Sequence, residues 1–532
     1  MGNRFKGRSL AVINDLSIEE RLYLFGQTRK LKQALADGDN AVVDSFRIAD
    51  RSFGIYEVFL EDSTRTRESF KNAAKFHDIK ISALNTDSSS FNKGESYADT
   101  FNTLIGYDNT LFVIRSKLEG VCRWLETATA AYARRNGLAQ VPAFINAGDG
   151  KHEHPTQELL DEFTFLEDNE WSTDSIHLAL VGDLFHGRTV HSKANGLTLF
   201  SRVKVDLVAP EELSMPEDYL AIMRDNGFEI RTFPSIEAYL AQPDTADKWY
   251  FTRPQLERMG ERVLRRQDEL RRSITFSPDF LGSVKPGTQF YHPLPRNKVH
   301  PVIPSFLDET PLNGWERQSA NGMLVRIILL GLISGHIGED FQPEHAPVDD
   351  SREEQFIEKV PCPEASGSAE EKRYYSEGVR PIAEGLVIDH ICRDESSGEI
   401  REHMHKIVSL LNLHGKGGEW VSTSRKDPAS LKGIIFRPGH RGLSEPEVKR
   451  LAALAPGSTL NVIREGAVME KFRLHLPPQI YNLPGLSCRN SACISHPDHD
   501  EGVPAHFHRT GQGGLKCEFC GTHHTYKEIW KR

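Results

Sequence analysis

Long apolar runs are missing from this sequence. The apolar run over residues 327–333 is far shorter than the roughly 20 residues that a membrane-spanning helix needs. The first 17 residues also lack the long apolar core of a signal peptide. Both absences predict a protein without a membrane partner.

Cysteine is scarce, with seven residues in 532, and four of these lie close together near the C-terminal end. Small secreted proteins carry a dense and even cysteine pattern instead. The sequence therefore excludes a disulfide scaffold and predicts a protein of the reducing cytoplasm.

An excess of positive charge is also missing. Lysine and arginine number 65 against 75 aspartates and glutamates, which leaves a formal net charge of −10. A chain of this charge repels polyanions, so general nucleic-acid binding is excluded. Anionic ligands would need local basic pockets.

The length and the patterns that are present predict several folded domains. A chain of 532 residues is long enough for three or four domains of roughly 150 residues each. From about residue 10 to 334, short apolar runs alternate with amphipathic stretches, which is typical of α/β domains with parallel sheets. Residues 335–378 are rich in Glu, Asp, Pro and Ser and predict a linker, whereas residues 379–475 indicate a small α+β domain.

The strongest catalytic signal is the segment Ser63-Thr64-Arg65-Thr66-Arg67, which follows an apolar strand-like run and precedes a helical pattern. Hydroxyls, guanidinium groups and free backbone N–H groups at a helix start favour a bound phosphate. An ordinary Ser/Thr N-cap flanked by solvated arginines would produce the same pattern.

Five further segments occur in a fixed order: IRSKLEG, NAGDGKHEHPTQELLD, VGDLFHGRTVHS, FTRPQLER and FYHPLPR. Taken singly, HPTQ could be a packed turn and TRPQ a surface loop. Together, residues 5–335 resemble the aspartate and ornithine carbamoyltransferase family. The segments supply the candidate residues Arg115, His154, Gln157, Arg188, Arg253, Gln255, Pro293 and Leu294.

Two features of the resemblance favour an aspartate enzyme. The segment SSSFNKGES places Ser89 and Lys93 at the spacing of the aspartate-type loop, and HPLP has proline where ornithine enzymes usually have cysteine. The implied reaction converts carbamoyl phosphate and L-aspartate into N-carbamoyl-L-aspartate and phosphate, the committed step of de novo pyrimidine biosynthesis. Two alternatives stay open: transfer to another amino acid such as ornithine, and a catalytically silent scaffold that binds zinc or nucleotides.

The resemblance implies a role for each candidate residue and requires no organic cofactor. Catalytic contacts would come from Arg65, Thr66, Arg115 and His154. Substrate-binding contacts would come from Ser63, Thr64, Ser89, Lys93, Gln157, Arg188, Arg253, Gln255, Pro293 and Leu294. In the family's aspartate enzymes, which are built on catalytic trimers, the equivalents of Ser89 and Lys93 come from the adjacent chain. Glu61 would pair with Arg188 and Arg258 across the two catalytic domains once these close on the substrates, although such pairs can equally be ordinary surface ion contacts. Asp62 and Lys117 depart from the family pattern.

The C-terminal cysteines predict a structural zinc site. Cys488 and Cys493 are separated by four residues, and Cys517 and Cys520 form a CxxC pair. Two such pairs of thiolates are typical of a closed tetrahedral zinc site, one per chain. Four neighbouring histidines are competing ligands: His496, His499, His506 and His508.

Residues 379–532 resemble the regulatory chain of bacterial aspartate carbamoyltransferase, on the segments CRNSACISHP and GLVIDHI and the stretch from LSEPEV to EKF. The resemblance implies binding of CTP or ATP effectors at Val379, Ile382, Asp389, His390, Asn461 and Lys471. Asp389 and His390 could equally form a surface pair. Gly466 and Arg437 depart from the tyrosine and lysine of the relatives.

The expected architecture is therefore α/β, with two doubly wound parallel-sheet catalytic domains, a small α+β effector domain and a zinc-binding β domain. Residues 1–150, completed by a helix over about 312–335, would bind carbamoyl phosphate, and residues 151–311 would bind aspartate. Residues 336–378 would be the linker, 379–478 the nucleotide-binding domain and 479–532 the zinc domain.

Overall fold

Helices and parallel strands alternate through the first part of the chain, as the apolar periodicity predicts. The computed structural model describes residues 3–84, 94–138, 141–255, 265–344, 356–362, 382–393, 395–423, 429–511 and 513–530. The chain divides into two compact units, of which the first covers residues 1–346 and the second most of residues 347–532.

The first parallel sheet has the strand order β2-β1-β3-β4. Its strands are β1 (Gly54–Phe59), β2 (Lys80–Ala83), β3 (Leu111–Ser116) and β4 (Ala143–Asp149). The helices of this region are Ile18–Asp37, Asn40–Ser45, Thr64–His77, Tyr97–Ile105, Val121–Arg135 and Pro155–Asp168. Every residue of β3 and β4 is buried, as expected for central parallel strands that are covered on both faces.

The second parallel sheet has the order β7-β6-β5-β8-β9. Its strands are β5 (Ser175–Gly182), β6 (Arg202–Val208), β7 (Glu229–Phe233), β8 (Lys248–Thr252) and β9 (Gln289–Tyr291). Its helices are Arg188–His191, Lys193–Gly196, Glu217–Asp225, Ile236–Leu240 and Gln267–Ile274. The helix Trp315–Ser334 then packs against the helices Thr64–His77 and Pro155–Asp168 of the first region.

The segment predicted to be a linker takes part in folded structure at two places. Ile337 and Phe341 pack against the core of the first unit, and the Phe341 ring lies 5.2 Å from the Phe5 ring. Residues 357–359 form a strand in the second unit. The acidic and proline-rich composition gave no signal for these short apolar contacts or for this strand.

The second unit contains an antiparallel sheet of the order β10-β15-β14-β11-β13-β12. Its strands are β10 (Ile357–Lys359), β11 (Gly385–Ile391), β12 (Gly418–Thr423), β13 (Leu431–Pro438), β14 (Thr459–Arg464) and β15 (Ala467–Leu474), and its helices are Ser397–Leu410 and Glu445–Leu454.

A smaller antiparallel sheet, in the order β16-β17-β18-β19, carries the cysteine region. Its strands are β16 (Gln479–Tyr481), β17 (His506–Arg509), β18 (Leu515–Cys517) and β19 (His523–His524). The predicted fold class is confirmed. Among the described residues, no helix has the length and apolarity to cross a membrane.

Candidate active site

The phosphate-binding candidates lie where the chain leaves β1 and enters a helix. That helix begins at Thr64, and Ser63 precedes it in an extended conformation with φ −157°. The Ser63 side chain makes no capping hydrogen bond, so its hydroxyl is not used for the N-cap role that the sequence left open. The helix start therefore offers backbone donors and hydroxyls together.

Arg115 and His154 reach the same edge of the first sheet. Arg115 is the penultimate residue of β3, and His154 is the residue before the helix Pro155–Asp168, with Pro155 in the first turn. Because the carboxyl ends of parallel strands meet at one edge, residues far apart in the chain converge there.

The second sheet contributes its own strand ends in the same way. Arg188 opens a short helix after β5, and Arg253 and Gln255 follow β8. Pro293 and Leu294 come shortly after β9.

These residues share one cavity of about 500 Å³. The sequence-predicted residues that line it are Ser63, Thr64, Arg65, Thr66, Arg115, His154, Arg188, Arg253, Gln255, Pro293 and Leu294. Gln157 lies directly behind the lining, where its Oε1 accepts a hydrogen bond from Arg65 Nη2 at 2.7 Å. Ser89, Lys93 and Arg258 lie outside the described residues.

Glu61 connects two of the cavity arginines through a single carboxylate oxygen. Its Oε2 lies 2.8 Å from Arg115 Nη2 and 3.0 Å from Arg188 Nη2. Burial lowers the pKa of Arg115 to about 10, the charge of Arg188 acts in the same direction, and Glu61 opposes both. Glu61 thus pairs with both Arg188 and Arg115.

Gly148 makes room for this arrangement. It has φ +109°, and a Cβ atom there would lie 2.8 Å from Arg115 Nη1 and 3.4 Å from Arg188 Cζ. A larger residue would be strained in its backbone and would push the arginines apart.

His154 is buried and neutral. Its Nε2 lies 3.2 Å from Thr66 Oγ1. Burial holds the pKa of His154 well below its ordinary value, and the positive charges of Arg115, Arg326, Arg188 and Arg65 lower it further. A neutral imidazole among cations is suited to hydrogen bonding rather than to proton donation as an imidazolium.

The orientation of the Gln157 amide is set by Asp161. Gln157 Nε2 donates to Asp161 Oδ1 at 2.8 Å, so the oxygen of the amide is directed towards Arg65. Asp161 Oδ2 in turn accepts from Lys193 Nζ at 2.9 Å. Asp161 and Lys193 are completely buried, and Lys193 also pairs with Glu158 at 2.9 Å.

Several cavity residues were not predicted from the sequence. They are Asp62, Gly187, Thr189, Thr252, His292, Pro295, Arg296 and Asn297. Burial lowers the pKa of His292 to about 3, and its Nδ1 accepts from the Leu294 backbone N–H at 2.8 Å. Arg296 donates from its two terminal nitrogens, Nη1 and Nη2, to the carboxylate oxygens of Asp308 at 2.6 and 3.0 Å. Their position in or beside the predicted motifs was the available signal.

The four predicted cysteines form one cluster in the C-terminal region. Cys488, Cys493, Cys517 and Cys520 are all buried, and their Sγ atoms lie within 4.8 Å of one another. Cys488 and Cys520 are 3.7 Å apart, close to the edge of about 3.8 Å for a tetrahedron with Zn–S bonds of about 2.3 Å. The cluster therefore fits a four-coordinate metal ion. Among the described residues, none of the four competing histidines belongs to it.

The candidate effector residues lie on neighbouring strands of the second unit. Asn461 is directly opposite Lys471 on one side and Val387 on the other. Asp389 pairs with Lys432 at 2.9 Å, and His390 Nδ1 lies 3.2 Å from Thr459 Oγ1. Ile382 is buried ahead of β11, and Val379 lies outside the described residues.

The two departures from the regulatory pattern have local explanations. Gly466 (φ +74°) and Glu465 (φ +52°) form the two-residue loop between β14 and β15, a turn that favours glycine. Arg437 is buried, pairs with Glu419, and donates to the backbone carbonyls of Leu413 and Gly418.

Known families match three stretches of the chain. Residues 8–167 match the carbamoyl-P binding domain of aspartate/ornithine carbamoyltransferase. Residues 377–475 match the allosteric domain of the aspartate carbamoyltransferase regulatory chain, and residues 478–530 match its metal-binding domain. The C-terminal cysteine cluster thus lies in a stretch that resembles a metal-binding domain.

Similar proteins extend over the whole chain. Protein PyrBI of Treponema denticola is 62% identical over 532 residues, which are 100% of this chain and 99% of that protein. Protein PyrBI of Thermotoga maritima is 50% identical over 534 residues and 100% of both chains. The crystal structure of aspartate transcarbamoylase from Trypanosoma cruzi with N-(phosphonacetyl)-L-aspartic acid is similar at a TM-score of 0.52 and 29% identity, over 61% of this chain and 95% of that one. The chain therefore belongs to the aspartate carbamoyltransferase family and joins a catalytic chain to a regulatory chain in one polypeptide.

Proposed function

We propose that the 500 Å³ cavity binds carbamoyl phosphate and L-aspartate side by side and transfers the carbamoyl group between them. The chain is a carbamoyltransferase by family, and the assignment of its residues to the two substrates is the proposal. The observation that carries it is the convergence of Arg65, Arg115, Arg188 and Arg253 on one cavity. A phosphate and two carboxylates require several permanent cations in one place.

The phosphate is assigned to the start of the helix Thr64–His77. Ser63, Thr64 and Thr66 would offer hydroxyls and backbone N–H groups there, and Arg65 and Arg115 would balance the charge. The aspartate carboxylates are assigned to Arg188, Arg253 and Gln255. The backbone N–H of Gln255 already donates a hydrogen bond to Asp183 Oδ2 at 2.8 Å. The Trypanosoma cruzi relative binds a ligand that combines a phosphonate with aspartic acid, which supports this division.

Glu61 acts as an internal anion in this scheme. Its carboxylate occupies the two guanidinium groups that are assigned to different substrates. Entry of the substrate anions would weaken its hold on Arg115 and Arg188. The Glu61 carboxylate therefore balances the positive charges of the two arginines while no substrate is bound. This limits the desolvation free energy of burying their guanidinium groups.

The chemical step needs neither a metal nor a covalent enzyme intermediate. The aspartate amine attacks the carbonyl carbon, the new C–N bond forms, and the C–O bond to phosphate breaks. The departing phosphate accepts the amine proton. Arg65, Thr66, Arg115 and His154 would stabilise the oxyanion on the carbonyl oxygen, and His154 would contribute as a neutral hydrogen-bond donor.

Gln157 is assigned to the carbamoyl NH2 group together with the backbone carbonyls of Pro293 and Leu294. Its oxygen is the atom that must face an NH2 group, and this oxygen now accepts from Arg65. The substrate amide would share that acceptor or replace Arg65 on it. Asp161 keeps the amide in the required orientation.

A pair of arginines from one motif tests the assignment. Arg65 lines the cavity, whereas Arg67 lies two residues later and pairs with Glu57 at 3.3 Å. Carbamoyl-aspartate formation should fall on the order of 100-fold or more in Arg65→Ala and change less than about threefold in Arg67→Ala. Labelled carbamoyl phosphate with L-aspartate or L-ornithine gives the substrate in the same assay. Equal losses in both variants, or product from ornithine alone, would contradict the proposal.

The active assembly is proposed to be a catalytic trimer in which Ser89 and Lys93 of one chain complete the site of its neighbour. Lys93→Ala and Arg65→Ala are each expected to be inactive alone. Mixed trimers would contain some sites that carry neither substitution, so mixing the two inactive proteins should restore part of the activity. Absence of any recovery in mixed trimers of demonstrated composition would refute shared sites.

The ion in the cysteine cluster is proposed to be Zn²⁺ in a purely structural role. Four thiolates complete a tetrahedron and leave no open position for a reaction. His524 Nε2 lies 3.3 Å from Cys488 Sγ and would support that thiolate by a hydrogen bond. Metal analysis of protein exchanged into metal-free buffer should find about one tightly held zinc per chain.

Nucleotide effectors are proposed to bind the region around Asp389, His390, Asn461 and Lys471. The support is that three adjacent strands carry these residues, with Asn461 directly opposite Lys471. Titration of CTP and ATP against the aspartate saturation curve tests the proposal, with Lys471→Ala as the variant. A response that is absent from the parent, or unchanged in the variant, would reject it.

A further inference from the structure

The C-terminal sheet carries a second group of metal-binding side chains on the face opposite to the cysteines. His506 and His508 are two residues apart on β17, so their side chains leave the same face of the strand. Between them, Phe507 is buried and is directly opposite Cys517 of β18. The face that carries Phe507 and Cys517 is thus distinct from the face that carries the histidines.

Glu518, the first residue after β18, joins the two histidines. The backbone N–H of Glu518 donates to His506 O at 2.9 Å, which holds Glu518 beside β17. Glu518 Oε2 lies 2.7 Å from His508 Nε2. The His506 and His508 rings are 4.6 Å apart, and one ligand atom from each of the three residues lies within 4.8 Å of the others.

We propose that His506, His508 and Glu518 form a second metal site, which binds a divalent transition-metal ion such as Zn²⁺ independently of the four cysteines. Two imidazoles and one carboxylate are a ligand set that zinc accepts, with the fourth position open to water. All three residues are partly exposed, whereas the His508 Nε2 atom that faces Glu518 is itself covered.

Two neighbouring side chains, Gln479 and Lys516, affect the metal affinity of the proposed site. Gln479 of β16 is directly opposite His508, and its amide nitrogen lies 2.6 Å from His506 Nε2. A 180° rotation of this amide group would exchange its nitrogen and oxygen. The oxygen would then lie beside His506 and be available as a further metal ligand. Lys516 also lies opposite His508, but its long stem lets the ammonium group turn to solvent.

An ion at this site would hold β17 to the turn that follows β18. A small domain with little core gains stability from each such clamp. The alternative is that His508 and Glu518 form an ordinary exposed ion pair, which contributes little to the stability of the fold. The stoichiometry of bound metal distinguishes the two.

The test uses the full-length protein with its cysteine site filled, and Zn²⁺ is added in equilibrium dialysis followed by metal analysis. The parent should bind a second equivalent per chain. His506→Gln/His508→Gln should retain one equivalent only, and the retained ion shows that the domain is folded. Glu518→Gln, which keeps the side-chain shape, should weaken the second ion by about tenfold or more.

His475→Gln is the matched control. His475 forms an exposed ion pair with Glu358 at 3.2 Å, and no second histidine joins them among the described residues. This variant should still bind two equivalents. A parent protein that binds a single equivalent, or a second equivalent that survives the double histidine substitution, would overturn the proposal.

Discussion

Lys193 is the most informative residue for testing how the catalytic region is held together. Its ammonium group is fully buried and lies 2.9 Å from both Glu158 Oε2 and Asp161 Oδ2, which are also fully buried. The substitution Lys193→Met keeps most of the side-chain volume and removes the charge. Two carboxylates then remain in the interior without this cation.

The expected loss of stability is large because the pair is broken on one side only. Removal of one partner of a buried ion pair costs about 3–5 kcal/mol, since the remaining charge stays desolvated. For a folded unit of this size, about 2 °C in Tm corresponds to 1 kcal/mol, so Tm should fall by roughly 6–10 °C. Differential scanning calorimetry measures this directly.

Lys204→Met provides the control, because Lys204 also pairs with two carboxylates. Its partners Asp244 and Glu229 are exposed by 57% and 67% of their side-chain surface. Exposed pairs contribute about 0–1 kcal/mol, so the Tm of this variant should change by less than about 2 °C. Similar shifts in the two variants would refute the reasoning from burial.

The pH dependence of Tm tests the role of Lys193 independently. Burial raises the pKa of Glu158 above its ordinary value, and the charge of Lys193 opposes that rise. Without Lys193 the folded-state pKa rises further, so the folded protein keeps a proton that the unfolded chain releases above about pH 4.5. The parent keeps the same proton up to about pH 8, so the free energy of unfolding of Lys193→Met falls below that of the parent with rising pH only above about pH 8. The Tm deficit of Lys193→Met should therefore be larger at about pH 9.5 than at about pH 7. A deficit that shrinks as pH rises would contradict this assignment.

Three further predictions concern the proposed sites. His154→Gln should lower kcat on the order of 100-fold at unchanged Tm. NMR of labelled histidines should show His154 with a pKa well below that of an ordinary histidine, because burial and the neighbouring arginines lower it; an ordinary histidine pKa would remove the neutral-donor role. Glu61→Gln frees Arg115 and Arg188 of their shared anion, so inorganic phosphate should bind several-fold more tightly in calorimetric titration, and weaker binding would contradict the internal-anion role. Cys517→Ser should lose the tightly held metal and lower the thermal stability of the C-terminal region, as checked by metal analysis and calorimetry; full metal retention would exclude Cys517 as a ligand.

Much of the lining of the 500 Å³ cavity could be predicted from the sequence, because the motifs of the family resemblance lie at the ends of parallel strands. Arg115, His154, Arg188 and Arg253 each stand near the end of a strand or the start of the next helix. The carboxyl ends of parallel strands converge, which agrees with the common site that the family resemblance implied. The cysteine cluster was predictable for a related reason, since two short-range pairs of thiolates need only one long-range contact to meet.

The contacts within the cavity depend on groups that approach one another only in the folded protein. The sharing of Glu61 by Arg115 and Arg188 joins residues from two sheets, and no local spacing encodes it. The orientation of the Gln157 amide depends on Asp161, which accepts a hydrogen bond from a buried lysine 32 positions further along the chain.

Strand-end motifs and cysteine spacing are local properties, so the amino-acid order by itself determined the fold class, the family and most of the cavity lining. Ion pairing, amide orientation and the strand at residues 357–359 arise from long-range packing and desolvation. Those forces act between segments that the chain order keeps apart, and only the tertiary structure decided them.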